Sequence, residues 1–141
     1  MSWGNAAVKK EVLPAGKAGI KSELRNWPVQ IMLANPQAAY FRGADILVSA
    51  DCVPFAFGNF HQEFVKDKIV LVGCPKLDDI EFYAEKLAQL FKEASPKSVT
   101  AAYMEVPCCW GLVKGVQEGI KKSGKKIPFY AVKIGIKGEE L

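Results

Sequence analysis

No stretch of the 141-residue sequence approaches the roughly 20 consecutive apolar residues that a membrane-spanning helix needs. Residues 1–21 also lack the apolar run of about 7–15 residues found in a secretory leader. Lys9, Lys10, Glu11, Pro14, Gly16 and Lys17 interrupt them. The sequence has no C-x2-C-x2-C run of a ferredoxin and no paired C-x2-C of a zinc ribbon. It has no Gly-rich phosphate loop either: Gly111, Gly115 and Gly119 fall inside a helical pattern rather than at a strand-to-helix turn. The charge balance of 19 basic against 15 acidic residues, a net +4, is too small to imply nucleic-acid binding. These absences lead us to expect a cytoplasmic protein with no membrane and no nucleic-acid partner. In that compartment cysteines are usually reduced, metal-bound or catalytic rather than paired as structural disulfides.

Half the residues are hydrophobic, and eight Phe, four Tyr and three Trp are present. That suffices for a core without covalent staples. Residues 1–23 read as a tail or linker, and residues 24–141 as one α/β domain. Apolar runs at 29–33, 44–50, 68–72, 98–104 and 129–136 predict five strands. Helical spacing predicts a short turn at 36–42 and helices over 54–65, 77–94 and 109–122. Strands alternating with helices predict a mainly parallel sheet covered on both faces, a Rossmann-like or flavodoxin-like three-layer sandwich. The strand order stays open, and so does the direction of the last strand.

The four cysteines all fall where a strand gives way to a helix. Cys52 precedes Pro54, Cys74 precedes Pro75, and Cys108 and Cys109 follow Pro107. In an open parallel sheet these junctions share one edge, where ligands bind. A helix N-terminus favours thiolate over thiol, and thiolate is the form that ligates soft metals and iron–sulfur clusters. The expected metal and cofactor ligands are Cys52, Cys74, Cys108 and Cys109. Adjacent residues point in different directions, so either both of Cys108 and Cys109 ligate or one stays in reserve. Three readings follow: a metal or cluster site with zinc as the alternative ion, a metal-free dithiol, and buried core cysteines.

Other residues are weighed against plainer roles. His61 lies nine residues after Cys52, roughly 13 Å along a helix, too far to share its ligand sphere; it reads as a surface or partner-facing residue. Asp51, Asp78, Asp79 and Glu105 flank the cysteine edge and read as helix-capping carboxylates, with proton transfer as the alternative. Phe55, Phe57 and Trp110 read as core packing, with shielding of a cluster as the alternative. Gly111, Gly115 and Gly119 share one helix face and read as close-packing positions. Lys121, Lys122, Lys125 and Lys126 gather where a helix ends, as the helix dipole favours; docking of an acidic redox partner is the alternative.

Four segments carry a family resemblance: Leu24-Arg25-Asn26-Trp27-Pro28-Val29-Gln30, Ala50-Asp51-Cys52-Val53-Pro54-Phe55-Ala56, Gly73-Cys74-Pro75-Lys76-Leu77-Asp78-Asp79 and Met104-Glu105-Val106-Pro107-Cys108-Cys109-Trp110-Gly111-Leu112. From about residue 23 onward the chain resembles the C-terminal domain of iron–sulfur cluster-binding proteins of anaerobic bacteria and archaea, which are often described as ferredoxin-like oxidoreductases. Those proteins usually carry an N-terminal ferredoxin module, whereas residues 1–22 here contain no cysteine. The resemblance implies either a fragment or a stand-alone form whose partner is a separate ferredoxin-like electron-transfer protein. It implies an iron–sulfur cofactor, of the four-iron type, and an oxidoreductase context without a defined substrate. The metal-free dithiol oxidoreductase and an interaction module of a larger redox complex remain the alternatives.

Overall fold

The computed structural model describes residues 19–141; most of the expected tail, residues 1–18, lies outside them. Four strands form one parallel sheet: β1 (Asp45–Ala50), β2 (Ile69–Gly73), β3 (Ser98–Met104) and β4 (Phe129–Ile134), in the order β2-β1-β3-β4. Between them lie a single helical turn α1 (Val53–Ala56), a π-helical turn His61–Val65, and two full helices, α2 (Ile80–Ala94) and α3 (Trp110–Ser123). The chain steps one way from β1 to β2 and the other way from β2 to β3 and from β3 to β4. Right-handed crossovers therefore place α2 and α3 on one face and α1 with the π turn on the other. The three-layer α/β sandwich holds, and the last strand is parallel.

The central strands are apolar on both faces because both faces are covered. Ile46, Leu47 and Val48 of β1 are fully buried, as are Leu71, Val99 and Ala101 beside them. α2 buries Tyr83, Ala84, Leu87, Leu90, Phe91 and Ala94 along one stripe. It begins at an Asp79 cap, whose carboxylate accepts the Glu81 N–H at 2.9 Å. α3 ends at Gly124 with φ of 72°, the left-handed cap that glycine favours.

Two expected elements are corrected. Residues 29–33 are not a strand: only Gln30 bridges β2, opposite Val72, before the chain turns into the 3₁₀ segment Ile31–Leu33. The sheet thus has four strands. Residues 54–65 are not one helix. α1 stops after one turn, Gly58 and Asn59 form a separate turn, and the π turn follows. Phe57, Phe60 and Phe64 still pack together, with Phe57 edge-on to Phe64 at 5.3 Å.

α2 and α3 meet through the glycine face of α3, as its spacing suggests. A Cβ on Gly119 would stand 2.9 Å from Leu87 Cβ and 3.4 Å from both the Ala84 carbonyl oxygen and the Ala88 nitrogen. A Cβ on Gly115 would meet nothing nearer than Ile80 Cγ2, at 3.4 Å. Gly119→Ala is therefore expected to destabilise by about 1–3 kcal/mol, because backbone cannot yield as a side chain can. Gly115→Ala should be neutral or stabilising by up to about 1 kcal/mol, from helix propensity. Urea unfolding of both variants checks this; equal effects would show that the two positions are packed alike.

Candidate thiol site at the carboxyl edge of the sheet

At the β1/β3 pair the connections leave in opposite directions, so a crevice opens outside the carboxyl ends of these strands. Cys52 lies just past β1 on one side of it, and Cys108 and Cys109 follow β3 in the 3₁₀ turn Pro107–Cys109 on the other. Cys74 immediately follows β2, the neighbour of β1. The shared-edge arrangement read from the sequence is therefore present. Cys52, Cys74 and the Cys108–Cys109 pair thus sit at three adjacent strand ends. All four are free thiols; Cys52 and Cys108 are exposed, Cys74 is half-buried and Cys109 is buried.

The expectation of readily ionised thiols is corrected for two of them. Although Cys52 is exposed, partial desolvation pushes its thiol up, joined by its hydrogen bond to Asp51 and by the charges of Asp51, Cys74 and Cys108. Burial also pushes Cys109 up, a backbone hydrogen bond at Met104 partly opposing, with Cys108 and Cys52 adding to the rise. Cys52 heads only a four-residue turn, so little helix dipole acts on it. The Cys52 Sγ donates to Asp51 Oδ1 at 3.5 Å. Asp51→Asn is expected to speed alkylation of Cys52 by iodoacetamide at neutral pH in the metal-free protein, by about threefold for each pKa unit regained. An unchanged rate would show that Asp51 does not hold this thiol.

The Cys74 loop is braced from beneath. Tyr83 Oη accepts the Cys74 N–H at 3.0 Å and donates to Asp78 Oδ2, with the Cys74 carbonyl oxygen 3.4 Å away. The Tyr83 side chain is fully buried. It reaches the loop only because Gly73 has no side chain, since a Cβ there would collide with the Tyr83 hydroxyl. Sequence reading placed Asp78 among helix caps. Asp79 is the cap, and Asp78 serves Tyr83. An acid five residues before a tyrosine at a helix start is the only sequence signal.

The remaining rim residues have defined places. Glu105 Oε2 accepts the Ile136 N–H at 2.7 Å, tying the β3 loop to the turn after β4. His61 Nδ1 accepts the Glu23 N–H at 3.1 Å and so anchors the incoming chain away from the thiols. Core packing is corrected for two aromatics: Phe55 is 92% exposed and Trp110 45%, although Trp110 still stands edge-on to Tyr103 at 5.5 Å. Leu77 and Val106 are exposed as well, so each cysteine loop carries an apolar side chain into solvent. Lys121 and Lys122 lie in the last turn of α3 and Lys125 and Lys126 just past its Gly124 cap, about 20 Å from its cysteine end by helix rise. Lys122 is paired with Glu85 at 2.6 Å.

Among the described residues, no three His, Cys, Asp or Glu side chains converge tightly enough to hold a single metal ion. The donor set is nonetheless of one soft chemistry. A cubane takes its thiolates on separate irons, so they stand further apart than the ligands of one tetrahedral ion. No described helix is long and apolar enough to cross a membrane.

A family model described as a Rossmann-like domain matches residues 38–141, a stretch that includes all four cysteines. An uncharacterized protein of Archaeoglobus fulgidus is 33% identical over 104 residues, covering 74% of this chain and 73% of that protein. No solved structure matches. The chain belongs to the Rossmann-like domain family.

Proposed function

We propose that this Rossmann-like chain binds an iron–sulfur cluster of the four-iron type through the thiols at its β1/β3 crevice and works in electron transfer. The observation that carries the reading is the position of the cysteines. Every cysteine of the chain lies on the carboxyl edge of three adjacent strands. Soft thiolate donors select iron–sulfur clusters and related thiophilic metals. The resemblance of the four segments supports the same cofactor and an oxidoreductase setting. Its partner would be a ferredoxin-like electron-transfer protein. That partner would dock at the thiol rim, because the lysine cluster at the other end of α3 is too distant to pass electrons directly.

Anaerobic reconstitution with iron and sulfide tests this. After desalting, iron and acid-labile sulfide should remain bound in stoichiometric amounts, with a broad visible absorption. A chain that keeps neither has no such site.

A metal-free dithiol is the second reading. It is favoured by the adjacency of Cys108 and Cys109 in one 3₁₀ turn and by the lack of a preassembled single-ion site among the described residues. Its chemistry is the loss of two electrons and two protons from two thiols to an acceptor as one sulfur–sulfur bond forms. It predicts reversible loss of two titratable thiols on mild oxidation with diamide, and no bound iron.

A further inference from the structure

We infer that the vicinal pair divides its labour: Cys109 is a packing residue, and the working thiols are the triad Cys52, Cys74 and Cys108. Where the triad carries a cluster, this rests on the function proposed above and leaves one coordination position to be filled from outside the chain.

The inference starts from local geometry. Pro107, Cys108 and Cys109 form one 3₁₀ turn, in which successive side chains project about 120° apart. The two thiols are therefore presented differently although they are neighbours. Cys109 is 6% exposed and belongs to the same buried cluster as Leu112, Val113 and Val116 of α3 and Ala101 and Met104 of β3. Cys108 is exposed. Turning the Cys109 side chain outward would require the start of α3 to unwind, because Cys109 is the residue from which that helix begins.

The triad is spread over the strand ends differently. Cys52, Cys74 and Cys108 come one from each of the three adjacent strand ends. A four-iron cluster takes four ligands. With three supplied by the triad, the fourth is a small soft donor, a thiolate or sulfide of a substrate or partner. The loops that would surround it carry the exposed side chains of Phe55, Leu77, Val106 and Trp110.

Two measurements test this, one of them independent of metal. In the metal-free wild type, brief treatment with iodoacetamide followed by peptide mass mapping should label Cys52, Cys74 and Cys108 while Cys109 reacts at least about a hundredfold more slowly, as a thiol released only by local opening. Labelling of Cys109 as fast as Cys108 overturns the inference. In the reconstituted protein, Cys109→Ala should retain wild-type iron, whereas Cys52→Ala, Cys74→Ala and Cys108→Ala should each fall towards background. Adding 2-mercaptoethanol to the desalted holoprotein should shift its visible absorption. Loss of iron from Cys109→Ala with a native melting curve, or no spectral change with the added thiol, overturns it. A wild type that binds no iron removes the proposed function, and the alkylation ranking then decides the roles of the thiols alone.

Discussion

Replacing Asn26 with alanine is expected to lower the stability of this domain by about 2–4 kcal/mol, the cost of leaving two buried backbone groups without partners. Asn26 stands beside the outer edge of β2 and is 6% exposed. Its Oδ1 accepts the Val70 N–H at 2.9 Å, and its Nδ2 donates to the Val70 carbonyl oxygen at 2.9 Å. One side-chain amide thus does what a paired strand residue would do. Two residues further along β2, the backbone takes over, and the Val72 N–H donates to the Val29 carbonyl oxygen at 2.7 Å. Residues 26–30 close an edge that would otherwise present unpaired groups. Asn26→Asp should be at least as damaging, because it removes the Nδ2 donor and sets a carboxylate against a carbonyl. Urea unfolding measures both. A loss below about 1 kcal/mol for Asn26→Ala would mean that water replaces the amide without penalty.

Tyr83→Phe is expected to cost about 2–3 kcal/mol, since it strands the Cys74 N–H and the Asp78 carboxylate together. It should also loosen the Cys74 loop, so alkylation of Cys74 in the metal-free protein should accelerate while that of Cys108 stays constant. The same hydroxyl sets a pH dependence. Burial, with the hydrogen bond to Asp78, holds the Tyr83 phenol well above its ordinary value, a backbone hydrogen bond at Cys74 partly opposing. As pH rises above about 10, the unfolded chain releases this proton while the folded chain keeps it. Stability therefore falls with rising pH in that range. Cys52 and Cys109, also raised, act in the same direction from lower pH. Tyr83→Phe should remove the tyrosine part of the decline. A variant with wild-type stability and an unaltered alkaline limb would contradict this role for the hydroxyl.

The strands of the sheet core and the two long helices were legible because their signals are strong. Residues 99–104 are apolar apart from Thr100, as a strand buried on both faces requires, and Ile80, Tyr83, Leu87, Leu90 and Phe91 recur at helical spacing. The 54–65 region was misread because Phe55, Phe57, Phe60 and Phe64 suggest an apolar helix, while Gly58 and Asn59 break it into two turns. Residues 29–33 look like a strand, but after Pro28 the chain makes a single bridge to β2, at Gln30, before it turns into the 3₁₀ segment. Cysteine placement was readable because it depends only on where strands end. Exposure of Phe55 and Trp110 was not, since an apolar side chain does not announce whether anything covers it. The raised thiols were hidden too, because burial leads their causes and only Asp51, beside Cys52, was visible in the sequence.

The central claim is that thiols distant in the chain converge at one crevice, and a bifunctional thiol reagent tests it most directly. Dibromobimane added to the native metal-free protein should join the Cys52 peptide to the Cys74 or Cys108 peptide after tryptic digestion, and should do so far less in urea. Lys66 and Lys68 separate the first two sites, and Lys76 and Lys97 the latter two, so each link is identified by mass. Bridges confined to the single peptide that holds Cys108 and Cys109, or none at all, would contradict the account.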